Sequence, residues 1–119
     1  MKKYDPDNIF AKILRGDIPC KKVFENNQVL AFHDIHPQAP IHILVIPKGK
    51  FCDMTDFSAH ASPALQAALF KAVGEIARQV GLGEDGYRVI VNCGANGGQE
   101  VPHLHLHILG GRTLGRMVQ

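Results

Sequence analysis

Residues 101–111 read Val-Pro-His-Leu-His-Leu-His-Ile-Leu-Gly-Gly, and the alternation within them limits what the chain can fold into. His103, His105 and His107 take turns with Leu104, Leu106 and Ile108. A period of two matches a pleated strand, in which residues i, i+2 and i+4 share a face, and it conflicts with the 3.6-residue period of a helix. The segment is therefore expected to be a strand over residues 103–110, packed on the face of Leu104, Leu106 and Ile108, with three imidazoles in a row on the other face. Pro102 lacks an N–H, so it fits the first residue of such a strand or an edge.

The rest of the chain supplies partners for that strand. "PDNIFAKILRGDIP" predicts a short helix capped by Asp7 or Asn8, with Ile9, Ile13, Phe10 and Leu14 as its apolar face and Gly16 as its stop. "KKVFENNQVLAFHDI" predicts a hairpin turning at Asn26-Asn27. "HDIHPQAP" is a loop, and "IHILVIP" is a strand that is apolar on both faces apart from His42. Ser62 and Pro63 begin a long helix whose buried face is Leu65, Leu69, Ala72, Val73, Ile76 and Val80, and Gly81 stops it. "GYRVIVN" is a fourth strand, joined to the histidine strand through "CGANGGQEVP". The fold class is α+β: a five-stranded, mainly antiparallel sheet with one short N-terminal and one long helix. At 119 residues the chain is one domain, with residues 1–7 and 112–119 as tails.

Charge and cysteine usage narrow the function. The net charge is +2 and the basic residues are scattered, which excludes a large nucleic-acid surface but leaves room for a small nucleotide. No apolar run follows the two N-terminal lysines as a signal peptide would require, and none is long enough for a membrane span. Cys20, Cys52 and Cys93 are odd in number and widely spaced, which argues against a disulfide framework and points to the reducing cytoplasm.

Three imidazoles on one strand have several uses. Their outer Cα atoms would lie roughly 13 Å apart, whereas a metal–nitrogen bond is only about 2.0–2.1 Å. A straight row does not converge on one ion, so zinc would require two of them with His42 or Glu100 added. A central imidazole can instead attack phosphorus while its neighbours orient it. The Gly97-Gly98 loop just upstream suits that chemistry, because close backbone N–H groups cradle phosphate oxygens. On the residues alone, metal pair, nucleophile and incidental histidine strand all remain open.

The run His103-Leu104-His105-Leu106-His107-Ile108-Leu109 resembles the histidine triad family. "IFAKILRGDIP", "LAFHDIHPQAPIHILVIP", "GYRVIVN", "GGQEVPHLHLHILGGR" and "LGRM" resemble its nucleotide-binding (Hint) branch, in the same order and over nearly the whole chain. That resemblance implies a purine nucleoside phosphoramidase, which cleaves the P–N bond of an AMP-type or GMP-type phosphoramidate through a nucleotidyl-histidine. It implies His105 as nucleophile, with His103, His107 and His42 around it. Asn92, Gly98 and the backbone of Gln99, Glu100 and Val101 would hold the phosphate. Asp34 would bind the ribose hydroxyls, and Ile9, Phe10, Ile13, Phe32 and Ile35 would form the base slot, with His33 beside it.

No metal or other cofactor is implied. The partners implied are the nucleotide and a second copy of the chain, two sheets joining into one of ten strands. Read without the family, Phe32 and Ile35 would be core, and Ile9 and Ile13 the buried face of a helix. His36 and His60 read as exposed loop histidines. Glu100, where animal relatives carry serine, favours a bacterial-type protein, and Pro102 replaces a frequent tyrosine. A dinucleoside polyphosphate hydrolase and a nucleotide-binding interaction module are the rival functions.

Overall fold

The computed structural model describes residues 3–118, so residues 1, 2 and 119 of the expected tails lie outside the described residues. The elements run α1 (Ile9–Arg15), β1 (Lys22–Glu25), β2 (Val29–His33), β3 (Ile41–Pro47), α2 (Met54–His60), α3 (Pro63–Gln79), β4 (Arg88–Val91) and β5 (Leu106–Gly110). The five strands form one sheet in the order β1-β2-β3-β5-β4, and every neighbouring pair is antiparallel.

Local chemistry sets the element ends. The Asn8 side chain accepts from Ala11 N–H, and Gly16 closes α1 at φ 84°, a conformation that costs glycine little. Asn26 turns the β1–β2 hairpin, its Oδ1 accepting from the N–H groups of Gln28 and Val29. Ser62 caps α3 through Leu65 N–H, with Pro63 in the first turn.

The sheet is covered on both faces. Side chains of Val29, Ala31, Ile43, Val45, Leu106 and Ile108 join Leu69, Ala72, Val73 and Ile76 of α3 in the main core. Each fully buried aliphatic chain there contributes about 1.5–3 kcal/mol of transfer free energy. The alternate residues Leu30, Phe32, Leu44 and Ile46 point the other way and pack against Phe10 of α1. Leu65 and Val80, expected on the buried face of α3, are partly buried at its margins.

Four expectations need correction. Residues 54–60 form a helix, α2, in addition to the one short and one long helix expected. The helix is seven residues long and buries little beyond Phe57, so it has no apolar period to detect; the cap from Asp53 to Asp56 N–H was its available signal. His60 accordingly ends α2, exposed and paired with Asp56, rather than lying in a loop. The strand β5 is also shorter than expected: its ladder starts at Leu106, and residues 103–105 precede it. His103 N–H turns back to Val101 O at 2.9 Å, and Leu104 N–H bonds Phe51 O, so neither joins the sheet. Alternation survives without the ladder, because Leu104, Leu106 and Ile108 all enter the main core. On α1, Phe10 is the core residue, while Ile9 is 42% exposed.

Candidate functional site

A cavity of about 600 Å³ opens on the α1 side of the sheet. Its size suits a small ligand. Ile9, Phe10 and Ile13 of α1, with Phe32 and His33 of β2, line one part, and Asp34 and Ile35 of the β2–β3 loop continue it. His42 of β3, His105 and His107 line the other part, with Asn92, Gly98, Glu100 and Val101 from the β4–β5 loop. Of the residues expected at the site, only His103 and Gln99 do not line the cavity.

Strand register places the histidines. Leu44 faces His107 across the β3–β5 ladder and His42 faces Leu109, so His42 and His107 are diagonal neighbours on one face. Their ring nitrogens, His42 Nε2 and His107 Nδ1, lie 2.9 Å apart. The His105 ring stands 5.0 Å from that of His107 and receives the edge of Phe10 at 4.9 Å.

The partners of these rings fix where each proton sits. Gln38 N–H donates to His42 Nδ1, so His42 carries its hydrogen on Nε2 and donates to His107 Nδ1. His107 is left with its hydrogen on Nε2, a buried atom without a partner among the described residues. The carbonyl of His103 can only accept, so His105 Nδ1 donates to it at 2.7 Å, and the lone pair of His105 is on Nε2. His103 itself is fully buried, and its Nε2 donates to Pro47 O at 3.0 Å.

These assignments require neutral rings, and burial keeps them neutral. Burial pushes His103 down to about 4, although its bond to Pro47 O works the other way. Burial, with the neighbouring His105 and His42, takes His107 down to about 4. Burial also lowers His42 and His105; Asp34 opposes it at His42, and the His103 carbonyl opposes it most at His105.

Asp34 is held for use from two sides. Its Oδ1 accepts from His36 N–H at 2.8 Å, and its Oδ2 lies 3.5 Å from His42 Nε2. Asp34, His42 and His107 are thus the residues nearest to a metal-ligand set, with their donor atoms within 4.8 Å of one another. The chemistry of that set does not fit an ion. Ligation through His42 Nε2 would move its hydrogen to Nδ1, directly against the Gln38 N–H.

The β4–β5 loop is shaped by glycine. A Cβ on Gly97 would lie 2.6 Å from Cys93 O, and Gly98 sits at φ +77°. Gln99 holds the loop together: its Oε1 accepts from Gly94 N–H, and its Nε2 donates to Cys52 O and Val101 O. The Gln99 N–H is itself spent on Gly94 O. Sequence reasoning missed Tyr4, which bonds His103, and Ile18, Pro19, Cys20, Lys21, Leu44, His36 and Gln38, which line the cavity. Leu44 had a signal, being two residues from His42 on the same strand face; residues 18–21 had none.

An antiparallel five-stranded sheet carrying a buried histidine cluster over a nucleotide-sized cavity is the build of a histidine triad domain. Residues 15–114 match the HIT domain family, and the chain belongs to it. A HIT-like protein of Azospirillum brasilense is 63% identical over 117 residues, covering 98% of this chain and 96% of its own. The purine nucleoside phosphoramidase of Escherichia coli K12 is 47% identical over 112 residues, covering 94% of this chain and 93% of its own. The crystal structure of a HIT family hydrolase from Legionella pneumophila superposes with a TM-score of 0.86 at 43% identity, over 92% of this chain and 96% of that one.

Proposed function

We propose that the protein is a nucleotide hydrolase that cleaves the P–N bond of purine nucleoside 5′-phosphoramidates. The observation that carries this reading is the proton placement at His105. Its Nδ1 is committed to the His103 carbonyl, which leaves a neutral, unprotonated Nε2 on a ring that lines the cavity. Such a nitrogen needs no base to activate it. It bonds to phosphorus, the P–N bond breaks and the amine leaves with a proton taken up from solvent; water then adds to phosphorus, breaks the bond to His105 Nε2 and returns a proton to solvent. His107 Nε2–H, buried and without a partner among the described residues, is a ready donor for a phosphoryl oxygen.

Around that centre, the main-chain N–H groups of Glu100 and Val101 make no bond among the described residues and suit the phosphate, with Asn92 and Gly98 beside them. Gln99 serves through its side chain as the clip of that loop. Asp34 accepts the ribose hydroxyls. The base lies among Ile9, Phe10, Ile13, Phe32 and Ile35, with His33 at the edge. Ile35 is 80% exposed at the mouth, and a bound purine ring would cover it. The name of the Escherichia coli relative agrees with this substrate class.

A second copy of the chain completes the proposal. β4 ends the sheet with one edge unpaired, and Tyr87 and Val89 there are each 39% exposed. An open edge with apolar side chains is stabilised by pairing with its own copy. Light scattering should give twice the 13.0 kDa chain mass.

The test of the reaction offers adenosine 5′-phosphoramidate in the presence of a chelator. Cleavage to AMP, with a nucleotidyl adduct trapped on His105, is expected. The reading fails if no cleavage is seen, or if the chelator abolishes it.

A further inference from the structure

The N-terminal segment ahead of α1 reaches across to the buried end of the histidine run. Tyr4 Oη lies 2.7 Å from His103 Nδ1, and the two rings meet edge-on at 5.7 Å. A tight turn holds Tyr4 there: Asp5 O accepts from both the main-chain N–H and the side-chain Nδ2 of Asn8, and Asn8 is the cap of α1. The segment and α1 therefore act together, with Tyr4 against His103 and Phe10 against His105.

Donor and acceptor roles in this contact are settled. His103 Nε2 must carry a hydrogen to meet Pro47 O, so the neutral ring presents a bare Nδ1, and the Tyr4 hydroxyl donates to it. Burial raises the Tyr4 hydroxyl above its ordinary value, which keeps it a donor at neutral pH. Both nitrogens of His103 are thus occupied by protein, and its ring does not line the cavity. What His103 gives the site is its main-chain carbonyl, the acceptor for His105 Nδ1.

We propose that Tyr4 is a positioning residue: its hydroxyl locks the His103 ring, which holds the His103 carbonyl against His105 Nδ1 and keeps the lone pair of His105 on Nε2. The proposal rests on the nucleophilic role argued for His105. Without the hydroxyl, a buried Nδ1 lone pair has no partner, a costly state. Rotation of the His103 ring towards another partner relieves it and shifts the carbonyl. His105 can then place its hydrogen on Nε2, where it blocks attack.

Tyr4→Phe removes the hydroxyl and keeps the ring. With adenosine 5′-phosphoramidate, kcat should fall on the order of tenfold while KM and AMP affinity hold within about twofold, as expected for one lost neutral hydrogen bond felt in the chemical step. Long-range proton–nitrogen spectra of histidine-labelled protein should show a single Nδ1–H form of His105 in the parent and a mixture in Tyr4→Phe. An unchanged kcat overturns the inference, and so does a lower kcat with unchanged His103 and His105 nitrogen patterns, since that marks a loss of stability alone. The spectra do not depend on the substrate. If the parent cleaves no phosphoramidate, the proposed function fails, while the histidine patterns still decide whether Tyr4 sets the tautomer.

Discussion

The two faces of the sheet are built from alternate residues of the same strands, yet they solve different problems. On the α3 face, Val29, Ile43, Val45, Leu106 and Ile108 pack against the apolar stripe of a helix. On the α1 face, Leu30, Phe32, Leu44 and Ile46 share the surface with His42, His105 and His107, and the cavity lies beside them. A polar atom buried among the side chains of the first face would be costly unless bonded. The second carries buried imidazoles, each with at least one ring nitrogen bonded. A single strand can therefore serve stability and chemistry at once, one residue out of step.

That contrast predicts separable failures. His105→Ala should lower P–N cleavage by at least about 10³-fold, since it removes the nitrogen proposed to attack. Its melting temperature should stay within a few degrees of the parent, and it should still bind AMP in calorimetry. Retained turnover would remove His105 from the role of nucleophile. Leu69→Ala makes the opposite cut. Leu69 is fully buried in the main core, so its truncation should cost about 2–5 kcal/mol in denaturant unfolding. The kcat per folded molecule should be unchanged. A selective loss of kcat in Leu69→Ala would mean that the two faces are coupled.

Legibility in the sequence followed the same division. Short apolar runs between turn residues mark four of the strands closely, and a helical repeat with its caps marks the long helix, because burial imposes a pattern. The fifth strand was overdrawn at its start. His103 and Leu104 keep the alternation, but their N–H groups bond Val101 O and Phe51 O, a tertiary matter that no local period encodes. The cavity residues quoted from the family pattern, among them Asp34, Phe32, His42 and Val101, do gather in one place. Tyr4 was passed over inside an assumed tail, since its one telling contact spans 99 positions. Gln99 was read through its backbone, although its side chain makes the contacts that close the loop.

Within the α1 face, Asp34 allows a finer cut. Asp34→Asn keeps an oxygen for His36 N–H but weakens the acceptor that the proposed function assigns to the ribose. An increase in KM of about tenfold with kcat little changed is expected, the pattern of lost uniform binding. Steady-state kinetics decide it. A fall in kcat at constant KM would instead assign Asp34 to His42, 3.5 Å away.

The last test takes the histidine face as a whole. His103 and His107 stay neutral down to about 4 when folded, whereas an unfolded imidazole takes up its proton near its ordinary value of about 6.5. Between those values the unfolded chain binds more protons, so stability is fully present above about pH 6.5 and is lost as pH falls towards 4. Each such ring contributes a slope of up to about 1.4 kcal/mol per pH unit. Unfolding followed from pH 7 to 4 should show that decline, and the acid limb of kcat/KM should lie below the ordinary imidazole value. His107→Gln removes one titrating ring and should flatten the decline. Leu69→Ala should lower the whole curve with its slope intact, because the leucine side chain does not titrate. Equal slopes for the parent and His107→Gln would mean that the His107 ring is already open to protons in the folded chain.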